Sequence, residues 1–150
     1  MAGSAHGPAL LLALAGLVLL LLCAAGIAAG LLFAERLHAL LPPVTIDAAA
    51  VGGATVALGG ATGLLGAAHL TSALALWRGV RQAAVPAIVL SATMSVVALG
   101  WAVAALVSSV SGSGPVAILL PAGIGLVLVA LGYAWATGVL IGLRRRGQPN

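Results

Sequence analysis

From Ala48 to Trp77 the chain carries no charged side chain, and the same holds from Pro8 to Ala34 and from Gln82 to Leu143. A helix needs about 20 apolar residues to cross a hydrocarbon core of ~30 Å. The first two runs are therefore one span each, and the third is long enough for two. Its break is Ser108-Ser109-Val110-Ser111-Gly112-Ser113-Gly114-Pro115, a Gly/Ser turn closed by proline. The sequence thus predicts helices over 9–33, 48–76, 84–108 and 116–143 in a single domain, 1–150, with a tail over 144–150. Pro8, Pro86 and Pro115 lie near helix starts, where a missing N–H is harmless. Pro121 lies about a turn inside the fourth helix, where it predicts a kink.

Composition points the same way. Only 5% of the 150 residues are charged and 63% are hydrophobic, with a mean hydropathy of +1.27. A soluble domain carries about 25% charged residues, so the polar surface here is too small to cover a water-soluble globule. The fold class expected is an all-α membrane protein, a four-transmembrane-helix bundle with the lipid bilayer as its first partner. Lysine is absent while Ala, Gly, Leu, Val and Arg dominate. That bias fits GC-rich coding and the cytoplasmic membrane of a high-GC bacterium. A single cysteine, Cys23, rules out an intramolecular disulfide.

The charges that remain give a direction. Arg78, Arg81, Arg144, Arg145 and Arg146 share one side of the membrane, and only Arg36 lies on the other. By the positive-inside rule both ends are cytoplasmic and the Glu35–Asp47 loop faces out. The five arginines are also expected to contact anionic lipid, at about 1 kcal/mol each. Trp77 suits an inner interfacial anchor and Phe33 the outer boundary. The rival reading of the first segment is a cleaved signal peptide ending near Ala24-Ala25-Gly26, which would leave three spans. The absence of Lys or Arg before Pro8 and the length of the apolar run argue against it.

Helices in lipid associate where small residues let backbones approach. Gly52-Gly53-Ala54-Thr55 returns seven residues later as Gly59-Gly60-Ala61-Thr62, and the pattern continues with Gly66 and His69. Seven residues are close to two helical turns, so Gly52, Thr55, Gly59, Thr62, Gly66 and His69 form a packing seam on the second span. Gly16, Cys23 and Gly30 recur at seven, Gly26 and Gly30 make a GxxxG, Gly125 and Gly132 repeat at seven, and Gly138-x-x-x-Gly142 is a further pair. With 21 glycines in the chain, some such pairs arise by chance. Leu65 to Gln82 also matches Leu131 to Gln148 at Gly66/Gly132, Thr71/Thr137, Arg78/Arg144 and elsewhere, the pattern of two tandem helical hairpins.

His69 is the only Asp, Glu, His, Lys or Arg inside a predicted span. Intramembrane ionisable groups are costly and are functional candidates by default. At its depth the third span offers Ser91, Thr93 and Ser95, and the fourth offers Tyr133, Trp135 and Thr137. Together these define a candidate polar layer. Its functional reading is a binding or proton-relay site; the structural reading, which is favoured, is a neutral imidazole sharing hydrogen bonds and fixing packing.

Other chemistry has less behind it. Bis-histidine haem ligation needs a second histidine at this depth, and His6 and His38 fall outside the predicted spans. Glu35-x-x-His38 with Asp47 is too small a set for a metal pair. No catalytic, cofactor or metal residue is assigned, and an enzyme is not expected. Nucleic acid is not an expected partner of so short a basic tail. The function expected is a structural or accessory membrane subunit acting through helix–helix contacts, with other membrane subunits or its own copies as partners. The alternative is a small homo-oligomeric transporter or channel with the polar layer around His69.

Overall fold

The computed structural model of the protein describes residues 5–39, 47–112 and 115–146. Among them there is no strand. In chain order come α1 (His6–Leu32), a short α2 (Ala34–Ala39), α3 (Ala48–Trp77), a 3-10 turn (Arg81–Ala83), α4 (Ala84–Val110) and α5 (Val116–Arg146). α1, α3, α4 and α5 are each long and apolar enough to cross a membrane. An even number of spans returns the chain to the side on which it started.

The helix ends follow local chemistry that hydropathy does not register. Asp47 caps α3: its Oδ1 accepts the Ala50 N–H at 2.6 Å and its carbonyl accepts the Val51 N–H at 3.1 Å. α3 stops at a Schellman turn, in which Val80 N–H donates to Ala75 O and Gly79 N–H to Leu76 O, both at 3.0 Å. Gly79 takes φ +71° there, a left-handed value that glycine adopts without penalty. α4 keeps its i→i−4 bonding as far as Ser111, whose N–H donates to Val107 O at 2.9 Å, and is followed by a second left-handed glycine, Gly112 at φ +68°. α5 runs past the predicted 143 through its arginines, which are good helix formers. It also continues through Pro121, which costs one backbone bond without ending the helix. α1 begins three residues earlier than expected, so His6 is its first residue and is exposed.

Small residues make up most of the inside, where Leu12, Leu76, Tyr133 and Leu140 join them, and most large residues lie outside. The buried apolar set is mostly alanine (Ala9, Ala73, Ala83, Ala87, Ala98, Ala102, Ala130 and Ala136), while Leu31, Leu64, Val96 and Val110 are at least 70% exposed. In water such a surface would aggregate. In lipid it is the expected arrangement, because burying leucine gains little and close backbone approach gains contact.

The fold groups into two compact units, Ala13–Thr71 and Met1–Leu12 with Ser72–Asn150. In the first, α1 and α3 run antiparallel with their glycines face to face. A Cβ added at Gly16 would stand 2.9 Å from the Gly66 carbonyl oxygen, and one at Gly66 would stand 2.9 Å from that of Gly16. Gly30 and Gly52 mirror this at 2.6 and 2.8 Å, and a Cβ at Gly59 would stand 3.1 Å from Cys23 O. The seven-residue series Gly16, Cys23, Gly30 on α1 therefore lies against Gly66, Gly59, Gly52 on α3.

In the second unit, α4 and α5 pair antiparallel through alanine and serine. Ala87, Ser91, Ala98, Ala102 and Ser109 form the buried face of α4. Ser95 Oγ donates to Ala130 O across the pair at 2.9 Å, and Gly123 lies under Leu106 and Ala102. The start of α1 belongs to this unit too, with Gly7 beneath the Trp135 ring and Leu11 against Gly132.

Candidate functional site

The residues singled out on α3 divide into packing and polar groups. Gly52, Gly59 and Gly66 are buried against α1, whereas a Cβ added at Gly53 or Gly60 would meet nothing within 4 Å among the described residues. Of each Gly-Gly pair, the first glycine alone packs against α1. Thr55 and Thr62, beside the seam, turn their hydroxyls back onto their own helix: Thr55 Oγ1 donates to Val51 O at 2.8 Å and Thr62 Oγ1 to Leu58 O at 2.7 Å. Thr71 does the same to Ala67 O and Ala68 O. These hydroxyls are satisfied at no cost to the close approach of the backbones.

His69 is fully buried. Its Nδ1 lies 2.8 Å from Leu65 O, one turn back on α3. A carbonyl oxygen only accepts, so Nδ1 carries a proton and Nε2 is the nitrogen at which protonation would occur. The His69 Cβ also packs 3.1 Å from the Cβ position of Gly16, which ties the imidazole to the α1–α3 seam. Asp47 lies 22 residues back along α3, about 33 Å away in helical rise, and Glu35 follows α1 at that same end of the hairpin. The Cys23 Sγ is held beside Gly63, six residues along α3 from His69, about 9 Å in rise. Among the described residues, both carboxylates and the thiol thus lie at other levels of the α1–α3 hairpin than His69.

The remaining members of the predicted polar layer belong to the other unit. Ser91 is fully buried and donates back to Ala87 O at 2.5 Å. Ser95 makes the interhelical bond to Ala130 O. Tyr133 is buried, and its carbonyl accepts the Thr137 hydroxyl at 2.9 Å. Thr93 is exposed, and Trp135 is 53% exposed on the outer side of α5 while covering Gly7. Ser91, Ser95 and Tyr133 thus face inward on the α4–α5 pair and Thr93 and Trp135 do not. Ser72 and Ser109 are also buried, and sequence reasoning misses both. Ser72 follows His69 by three residues on α3, the spacing that could have marked it. Among the described residues, every buried side-chain nitrogen and oxygen has a hydrogen-bond partner.

At the other end of the α1–α3 hairpin, Glu35 and His38 lie on α2, and Arg36 sits over the Phe33 ring at 5.9 Å. That is a cation–π contact at the predicted water boundary. Among the described residues no three His, Cys, Asp or Glu side chains gather as metal ligands would. Arg78, Arg144 and Arg145 are exposed at the ends of α3 and α5, and the side chains of Arg81 and Arg146 lie outside those described.

The glycines aligned by the internal match do not share a role. Gly66 packs on α1, its hairpin partner, whereas the neighbour of Gly132 is Leu11 of α1 and not a residue of α4. A Cβ added at Gly125, Gly138 or Gly142 would meet nothing within 4 Å among the described residues. Comparison with protein-family models, with curated proteins and with solved structures finds no match. Four long apolar helices, large residues outward and small residues inward define the class: an all-α, multi-pass membrane protein.

Proposed function

We propose that the protein is a non-enzymatic structural or accessory subunit whose work is helix–helix contact inside the membrane. The observation that carries this reading is a set of glycines that no described residue packs against. Gly53 and Gly60 on α3, Gly100 on α4, and Gly125, Gly138 and Gly142 on α5 leave the space of a Cβ open to 4 Å among the described residues. Glycine in a helix interior costs about 1 kcal/mol relative to alanine. Membrane helices use such positions where another backbone must approach closely. Polar groups of the spans, by contrast, are largely closed onto their own helices, which supports packing over transport.

Native mass spectrometry after gentle extraction from native membranes tests the proposal. An accessory subunit travels with other membrane proteins in a fixed ratio. A pore built from this chain alone travels as a homo-oligomer. The His69→Leu variant separates the two further when reconstituted into vesicles holding a pH-sensitive dye. The accessory reading expects proton flux indistinguishable from that of the unsubstituted chain. A flux that the unsubstituted chain supports and His69→Leu abolishes, with folding intact, would overturn it in favour of a transporter or channel.

A further inference from the structure

The arginines carry an inference independent of the packing faces. The Ser95–Ala130 and Ala102–Gly123 contacts fix the register of α4 against α5. Continued to the end of the pair, that register brings the Arg144 backbone level with Arg81 at the 3-10 turn. Arg78 opens the same turn, directly after α3 ends at Trp77. Arg78, Arg81, Arg144, Arg145 and Arg146 therefore share one layer, within about 10 Å of depth at 1.5 Å per residue.

No acidic side chain stands near this layer. The chain has two, Glu35 and Asp47. Asp47 caps the opposite end of α3, 31 residues from Arg78 and about 46 Å away in rise. Glu35 sits in α2, just after the end of α1 that packs against the beginning of α3. The exposed Arg78, Arg144 and Arg145 side chains carry like charges that repel one another, and among the described residues no acidic side chain stands at their level to supply the counter-charge. The layer also has a level: Trp77, 51% exposed beside Arg78, is the kind of amphipathic ring that settles at headgroup depth. At that depth the available anions are lipid phosphates. All five cations are arginine, whose planar fork matches two phosphate oxygens at once.

We infer that the arginine layer at this end of α3, α4 and α5 is a binding site for anionic phospholipid headgroups. Nanodiscs containing equal amounts of phosphatidylcholine and phosphatidylglycerol, analysed by native mass spectrometry of the full chain, test it. The chain retains phosphatidylglycerol in preference. Arg78→Gln, Arg144→Gln and Arg145→Gln each lower that preference about fivefold, the equivalent of ~1 kcal/mol per surface arginine. Arg36→Gln, at the opposite end, leaves it unchanged. Raising salt from 0.15 to 1 M shortens the Debye length from about 8 to 3 Å and reduces the preference without any substitution. Equal retention of the two lipids, a preference indifferent to salt, or an equal loss in Arg36→Gln would overturn the site. Displacement of the lipid by millimolar inorganic phosphate would also overturn it, since the layer would then recognise phosphate in general.

Discussion

The α1–α3 hairpin and the α4–α5 hairpin solve one problem with different residues. In the first, backbone lies on backbone: at Gly16, Gly30, Gly52 and Gly66 a carbonyl oxygen of the facing helix stands in the way of a Cβ. In the second, side chains intervene: Gly123 is covered by the Leu106 side chain, and Ser95 reaches across to Ala130 O. A carbonyl oxygen is fixed by its helix and cannot move without the helix moving, whereas a leucine side chain can change its rotamer. The two hairpins therefore differ in what they tolerate, although both are apolar, antiparallel and of similar length.

The largest difference is expected from alanine placed on each side of the comparison. A Cβ at Gly30 would lie 2.6 Å from Gly52 O, so Gly30→Ala forces α1 and α3 apart and is expected to cost about 3 kcal/mol, the upper range for overpacking. A Cβ at Gly123 would lie 2.8 Å from both Cγ and Cδ2 of Leu106, a side chain that can shift as a whole about its own bonds, so Gly123→Ala is expected to cost less, about 1–2 kcal/mol. Unfolding of each variant by a denaturing detergent in mixed micelles measures both. Equal costs would break the distinction between backbone and side-chain packing.

The glycine hairpin is also the part that the sequence announces. Glycine is informative at Gly52, Gly59 and Gly66 because a second polar periodicity, Thr55, Thr62 and His69, runs beside it. The α4 face of Ala87, Ser91, Ala98, Ala102 and Ser109 has a comparable period, but alanine is so abundant that its buried positions look like its exposed ones. The four spans are legible because charge is excluded from hydrocarbon. Their ends are less so, since Asp47, Gly79 and Gly112 act through backbone hydrogen bonds and left-handed geometry that hydropathy does not weigh. The polar layer rests on depth alone. Depth does not say which way a residue faces, and so Thr93 and Trp135 fall in the same group as the buried Ser91 and Tyr133.

A smaller effect separates the hairpins by hydrogen bonding. The Ser95 hydroxyl donates to Ala130 O on the other helix, while the Thr55 and Thr62 hydroxyls of α3 return to their own. Ser95→Ala is expected to cost about 0.6 kcal/mol, the average for an interhelical hydrogen bond in a membrane protein. Thr62→Val removes a bond within its own helix and is expected to change the same unfolding curve by less than Ser95→Ala does. The reverse order would mean that α3 depends on its threonines for more than the local bonds they make.

The smallest effect on the isolated chain belongs to the glycines that the hairpins leave open. Gly60 follows Gly59 in sequence, yet a Cβ there meets nothing within 4 Å among the described residues, while one at Gly59 meets Ile27 N at 3.0 Å. Gly60→Ala and Gly138→Ala are therefore expected to leave the purified chain as stable as before, or to raise its stability by up to about 1 kcal/mol through helix propensity. In native membranes the same substitutions are expected to weaken co-purification with other membrane subunits, because the added methyl stands where a second backbone would approach. Gly59→Ala should behave in the opposite manner, destabilising the hairpin itself. If Gly60→Ala and Gly138→Ala change neither the chain nor its company, the open glycines face only lipid, and the accessory reading loses the observation on which it rests.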